Sequence, residues 1–382
     1  MIEVDNYCRP DEIEKLRGDW NRLRASSEFE ALSIDQYVHA VSIDERVLFP
    51  LVMVLREDGN VKAILPLAVF LKPKKFVIGE LRLFSISHKV LHAVCAMLGD
   101  LDLTQAQLVV RELSEGKLYD SINLYEIPTD HNLFKVLQEK SLDLKTSSTV
   151  DDVFPHWVID FPESFDAYLA SFRSKRRKAF RRNIRQFEEA HEVVFEKITE
   201  SGEINKFLEK GETISRQTYQ WDLGTRLINN AQSRRSLEIC ALQNELCSYL
   251  LYADGVVIAF AWGHLINDVF HYETPGFLRE FSRWSPGTII MLKIFEDLIV
   301  NTTCRRFDFG MGGDFTGYKS QFGNNYYNAA VVEFYPCKTL KSWFLYILDR
   351  LFGQLKRVLR RLVSPQLKSR VKQLLRKLSI LK

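Results

Sequence analysis

Twice along this chain, apolar runs of strand length are joined by Asp, Asn and Gly turns and followed by helical patterns and one more apolar run. In the first half LFPLVMVL and VKAILPLAVFL flank Glu57-Asp58-Gly59-Asn60, and FVIGELRLFSI follows as a third strand. That arrangement predicts a hairpin extended into a meander. In the second half Ala253-Asp254-Gly255 and Ile266-Asn267-Asp268 separate β-rich runs. The loop LREFSRWSPG then leads into an amphipathic helix over 288–300 and the apolar strand RFDFGMG. Repeated order of this kind predicts an α+β fold with two similar units in tandem. Polar, turn-rich SSTVDD marks a boundary, giving units 1–150 and 151–337 and a tail over 338–382.

Between the strands, residues 88–98, 103–113 and HNLFKVLQEK read as helices in the first unit, with SINLYEIP as a short strand; residues 165–190 and 204–219 read as helices in the second. Pro66 predicts an edge strand or a bulge, because proline donates no ladder hydrogen bond. In the tail Leu340, Phe344, Ile347, Leu348, Leu351 and Leu355 recur at helical spacing, with Lys356 and Arg357 on other faces. Ser364-Pro365 ends that helix, and a second amphipathic pattern runs over 366–378.

Hydrophobic residues at 46% and charged residues at 26% exclude a disordered chain. Every uninterrupted apolar stretch falls short of the ~18 residues a spanning helix needs, and the start lacks the basic and apolar regions of a signal peptide, so a cytoplasmic location is expected. Six cysteines without a C-x-x-C pair read as reduced thiols rather than a metal site. Net charge is uneven: −5 over 1–150, −4 over 151–337 and +12 over 338–382. Such a basic amphipathic tail suits an anionic membrane surface or packs on the body. A second concentration places eight cations in the thirteen residues from Arg173 to Arg185. These stay solvated or meet an anion, such as a phosphorylated acceptor held by Arg177 and Arg181, or tRNA.

Ser285-Pro286-Gly287-Thr288 has the pattern of a helix start, with Ser as N-cap, Pro at the first position and Gly where a ligand approaches closely. Amides exposed there, together with the helix dipole, favour an anion; a plain capped helix is the alternative.

With these residues the chain resembles a known group. The strand, the SPG loop and its helix, Phe307-Asp308-Phe309-Gly310, then Gly317-Tyr318-Lys319 and Phe322-Gly323, follow in the order found in GNAT-related acyltransferases of the BioF2-like and cellulose-biosynthesis CelD-like type. These are similar in fold to the FemABX transferases, which carry two GNAT units in tandem. The basic helix FRSKRRKAFRRNIRQFEE and the hairpin VMVLREDGNVKAILPLAVF fit the same group, over residues 20–335. The resemblance implies mixed sheets, no metal, and acyl transfer from acetyl-CoA or a longer acyl-CoA to an amine, an amino sugar or envelope precursor. It implies a diphosphate seat at Arg283, Ser285, Gly287 and Thr288. Pro286 and Thr288 depart from the small residues of the usual loop, and Pro286 has no N–H to offer.

Amine acylation needs a base for the ammonium proton, stabilisation of the oxyanion and an acid for the leaving thiolate. Glu273 and His271 share one face of HYETPG by period-two alternation, near the place where GNAT strands splay. Either serves as base, or Glu273 pairs with Arg279 and His271 is a satisfied strand histidine. Asp308 on an apolar strand needs a partner, either substrate or a cation such as Lys319. Tyr318 resembles the GNAT tyrosine that protonates the leaving sulfur; Lys319 and Trp262 are candidates for holding substrate, against ordinary packing roles. Three readings stand: an acyl-CoA-dependent N-acyltransferase at the inner membrane face, a FemABX-like aminoacyl-tRNA-dependent transferase, or a membrane-peripheral scaffold with a degenerate donor site.

Overall fold

The computed structural model describes all residues except 28, 30, 79–80, 140–144, 147–152, 219–220, 222–225, 313–314, 316 and 363–382. In chain order the strands are β1 (Ile2–Tyr7), β2 (Val47–Glu57), β3 (Asn60–Ile78), β4 (Leu81–Ala93), β5 (Ser121–Pro128), β6 (Lys145–Thr146), β7 (Val153–Asp160), β8 (Val193–Ile198), β9 (Ser248–Ala253), β10 (Val256–Ile266), β11 (Val269–Phe277), β12 (Arg306–Asp308) and β13 (Asn325–Tyr335). The helices are α1 (Pro10–Glu14), α2 (Arg17–Arg24), α3 (Ile34–Ile43), α4 (Leu103–Glu115), α5 (Asn132–Gln138), α6 (Phe165–Ala170), α7 (Ser174–Ala190), α8 (Ile204–Ser215), α9 (Ala231–Leu242), α10 (Pro286–Asn301), α11 (Lys319–Phe322) and α12 (Leu340–Leu362).

Two compact units result: Met1–Leu23, Ala40–Val153 and Ala329 onward form the first, and Arg24–His39 with Phe154–Asn328 the second. The mixed-sheet α+β fold expected from the sequence is the fold observed.

In the first unit the strand order is β1-β2-β3-β4-β5-β13. All pairs are antiparallel except β4 with β5, which run parallel for Val90↔Ser121, Leu91↔Ile122 and His92↔Asn123. Asp58 and Gly59 take positive φ in the β2–β3 turn, as the Asp-Gly-Asn signal requires. Residues 88–93 are strand rather than helix: Val90 and Leu91 are both buried because β4 lies between β3 and β5. A strand buried on two faces is apolar throughout and mimics a helical stretch. Pro66 lies on an interior strand, one residue beyond the last β4 pair, Leu67↔Ala93, and the β2–β3 register shifts fall elsewhere. Proline is tolerated there because its missing donor falls at the very end of the β4 ladder, where the Pro66 carbonyl still accepts the Val94 N–H at 2.9 Å.

The C-terminal helix α12 packs on this unit through Leu345, which is fully buried against Phe76 and Tyr335. Ser342 Oγ donates to the Asp120 carbonyl at 2.6 Å, and Asp349 meets Lys74 at 3.3 Å and the Tyr335 hydroxyl at 3.2 Å. The amphipathic pattern expected over 366–378 lies outside the described residues.

In the second unit the order is β7-β12-β11-β10-β9-β8, antiparallel except for β11 with β12. Alternation on β12 sends Phe307 to one face, where its ring lies 4.9 Å from Phe295 of α10 and 5.0 Å from Phe270. Asp308 takes the other face. The helix expected over 165–190 is broken into α6 and α7, because Phe172 in the intervening turn is anchored edge-to-face on Tyr168 and Phe180.

Replacing Leu345 with Ala would empty a fully enclosed site, so Leu345→Ala should lower stability by about 2–5 kcal/mol in urea unfolding. An unchanged midpoint would mean that α12 does not contribute to the first unit's core.

Candidate active site

The parallel ladder between β11 and β12 has three pairs, Val269↔Arg306, Phe270↔Phe307 and His271↔Asp308, and then stops. β11 continues to Phe277, whereas β12 ends at Asp308 and the chain turns away through Gly310 and Gly312, both at positive φ. The two strands therefore diverge at His271 and Asp308, and polar side chains gather on the face opposite Phe307.

Asp308 is 6% exposed, and its Oδ1 lies 2.6 Å from His156 Nε2 and accepts the Gly310 N–H at 2.7 Å. His271 Nδ1 is 4.0 Å from Oδ2. The His271 ring stacks on His264 at 5.3 Å, and His264 Nδ1 is 3.8 Å from Glu273 Oε1. On the far side His156 stacks on Tyr327 at 4.6 Å. Burial alone would raise the Asp308 carboxyl, but the His156 hydrogen bond, both neighbouring imidazoles and the Gly310 amide outweigh it and hold the group below its ordinary 3.8.

A bulge sets where Glu273 points. Gly263 pairs with Tyr272 and Trp262 with Thr274, so Glu273 is the extra residue on β11. Bulges of this kind re-aim a side chain. Gly263 is required beside it, since an added Cβ would sit 2.3 Å from Phe270 Cζ and 2.7 Å from the His271 carbonyl. Glu273 stays about one-third exposed while His264 and His271 are closed off at 3%.

Of the residues expected from sequence, Glu273, His271 and Asp308 are brought together. Asp308 takes His156 as its partner in place of Lys319, whose ammonium instead holds the carbonyls of Gly310 and Met311, both at 2.8 Å. Trp262 is half-buried with its ring 5.6 Å from His264. Tyr318 is 46% exposed just before α11, with its ring 6.4 Å from Phe309. Arg177 and Arg181 lie on α7, where Arg181 pairs with Asp166 at 2.7 Å and Arg177 reaches the Ala170 carbonyl at 3.4 Å. His156 and His264 were not anticipated. The signal was the one that singled out Asp308, a polar residue on an otherwise apolar strand, in FPHWVID and in AFAWGHLI.

The start of α10 differs from the expected N-cap. Ser285 adopts left-handed φ 55° and its hydroxyl makes no capping bond; its carbonyl instead accepts the Thr288 N–H at 2.9 Å. Thr288 is thus committed within the turn, and Gly287 keeps a first-turn amide that has no intrahelical acceptor. Space at Gly287 is bounded by Phe277, 3.3 Å from an ideal Cβ. Arg283 is exposed, its guanidinium 5.0 Å over the Trp284 ring.

Residues 174–320, from α7 into α11, match the family described as acetyltransferase (GNAT) domain. The second unit of the chain thus carries a GNAT-type acyltransferase domain. Solved structures agree at the level of fold. FemX superposes with TM-score 0.59 at 11% identity, over 91% of this chain and all of its own. A domain described as the C-terminal domain of a lysylphosphatidylglycerol synthetase from Agrobacterium fabrum gives 0.50 at 14%, over 90% and 96%. The tandem GNAT protein of the clavulanic acid biosynthesis pathway gives 0.50 at 11%, over 88% and 100%. No curated protein matches the chain in sequence.

Because its folded-state value is lowered, Asp308 contributes stability above the ordinary Asp range and loses it as pH falls through that lowered value. Asp308→Asn should cost about 3–5 kcal/mol at neutral pH by leaving His156 without its charged partner. The gap from the parent protein should narrow in denaturant titrations taken below about pH 4. A gap independent of pH would contradict the ionised assignment.

Proposed function

We propose that the second unit moves an acyl group from acetyl-CoA or a longer acyl-CoA to an amine, an amino sugar or envelope or exopolysaccharide precursor, at the cytoplasmic face of a membrane, as the resemblance to BioF2-like and CelD-like proteins implies. The observation carrying this reading is the ladder of β11 and β12 ending at His271↔Asp308 beside the bulged Glu273.

Glu273, the carboxylate open to solvent, takes the proton from the acceptor ammonium, directly or through water. The freed amine attacks the thioester carbonyl, forming the C–N bond. The tetrahedral oxyanion then collapses with cleavage of C–S, the departing thiolate takes a proton from the Tyr318 hydroxyl, and the new amide nitrogen gives its surplus proton, through water, to the tyrosinate left behind. His271, enclosed between His264 and Asp308, positions rather than touches the acceptor. Trp262 lines the acceptor side. Gly287 N–H, with Arg283, Ser285 and Thr288 around it, receives the donor diphosphate. Arg177 and Arg181 meet a phosphorylated acceptor, and Lys319 fixes the loop after β12.

Glu273→Gln should reduce kcat by about 10²–10⁴. Gly287→Glu should weaken donor binding in calorimetry with acetyl-CoA and longer acyl-CoAs while the melting temperature holds. Failure to bind any CoA at millimolar concentration would end this reading. A second reading, aminoacyl transfer from charged tRNA, draws support from the α10 start, where Pro286 lacks an N–H and Thr288 has spent its own. Loss of activity on ribonuclease treatment, with steep salt dependence of RNA binding, would select it.

A further inference from the structure

The C-terminal helix carries two apolar stripes, and the first unit covers only one. Leu345, Leu348 and Phe352 face Phe76, Tyr335 and Ile86. About a third of a turn away, Leu340, Phe344, Ile347, Leu351, Leu355 and Val358 follow one another at steps of three and four residues, and each is between 41 and 92% exposed. At 1.5 Å per residue that stripe runs for about 27 Å. Trp343, also exposed, borders it, and Phe84 of β4, 41% exposed, touches Phe352 edge-to-face. Soluble surfaces rarely leave so continuous an aliphatic row bare.

Charge identifies what covers it. Arg350 and Arg357 flank the stripe and are exposed. The single acid of residues 338–382, Asp349, is turned inward to Lys74 and Tyr335. The outward face thus combines apolar side chains with cations and no carboxylate. The twenty residues after α12 hold six basic and no acidic side chains, so like-charge repulsion disfavours that segment, and equally a second copy of this cationic face. An apolar stripe edged by cations fits an interface where acyl chains meet anionic headgroups.

We infer that the outer face of α12 is a membrane-docking surface for anionic phospholipid, with Phe344, Ile347 and Leu351 entering the acyl region and Arg350 and Arg357 at headgroup level. This deepens the membrane-face location proposed above and is independent of which acyl donor the enzyme uses.

The test is flotation of the full-length protein with vesicles of phosphatidylglycerol and phosphatidylcholine in equal parts, against vesicles of phosphatidylcholine alone. The parent protein should bind the mixed vesicles at least tenfold more tightly, with the preference fading in high salt. The triple variant Phe344→Glu, Ile347→Glu, Leu351→Glu should lose at least tenfold in binding with an unchanged melting temperature, since all three side chains are exposed. Arg350→Glu with Arg357→Glu should weaken binding to the mixed vesicles and leave the phosphatidylcholine background alone. Equal binding by the triple variant would overturn the inference, assigning adhesion to residues outside this face. A parent protein that ignores vesicles but sediments as a dimer, becoming monomeric in the triple variant, would overturn it in favour of a second copy. Neither readout depends on CoA binding or turnover, so its failure is separate from failure of the proposed chemistry.

Discussion

The site depends on where the pairing of β11 and β12 stops. Two parallel strands that remained in register would bury their facing edges in a ladder and leave no opening. Here the bonding ends after three pairs, and the last pair sets His271 beside Asp308. Aromatic packing on the opposite face makes that end point firm: Phe307 is wedged against Phe270, Phe295 and Phe309. β12 is therefore anchored on one face by apolar burial and carries on the other a carboxylate that must be compensated. The compensation comes from His156 on β7, which ties the strand on the other side of β12 to the same centre.

The first unit repeats the device with different chemistry. Its parallel pair β4 and β5 also has three rungs and also ends on a histidine, His92, but the opposite residue is Asn123. Asn123 brings no carboxylate to that pair, and burial, with the Lys72 charge beside it, lowers His92 to about 4, so that it is neutral at physiological pH. The helix that follows β4 is closed as well. Asp102 caps α4 by accepting the Gln105 N–H while the Gln105 side chain accepts the Asp102 N–H. By contrast, the corresponding start of α10 has no side-chain cap.

Much of this was legible in the sequence, and for identifiable reasons. Turn residues with positive φ at Asp58, Asp254, Asn267 and Asp268 punctuate the strands, so the meanders and the two-unit order could be read directly. Asp308 stood out because a charge on an apolar strand demands explanation. What escaped was whatever depends on partners far along the chain. β4 looked helical because its burial by β3 and β5 is a tertiary fact. His156 lies 152 residues from the carboxylate it bonds, and no local pattern connects them. Period-two alternation put His271 and Glu273 on one face, but the bulge that actually turns Glu273 is visible only through the registers of β10 and β11. Ser285 carried the right residue type for an N-cap, yet its left-handed backbone turns the carbonyl rather than the hydroxyl toward Thr288.

The Asp102 cap has a consequence for anions at the start of α4. Its carboxylate takes the Gln105 N–H, one of the first-turn amides that a phosphate would need there, as an internal anion that never dissociates. A donor phosphate of the kind proposed above would therefore meet a side-chain cap at the start of α4 and none at the start of α10.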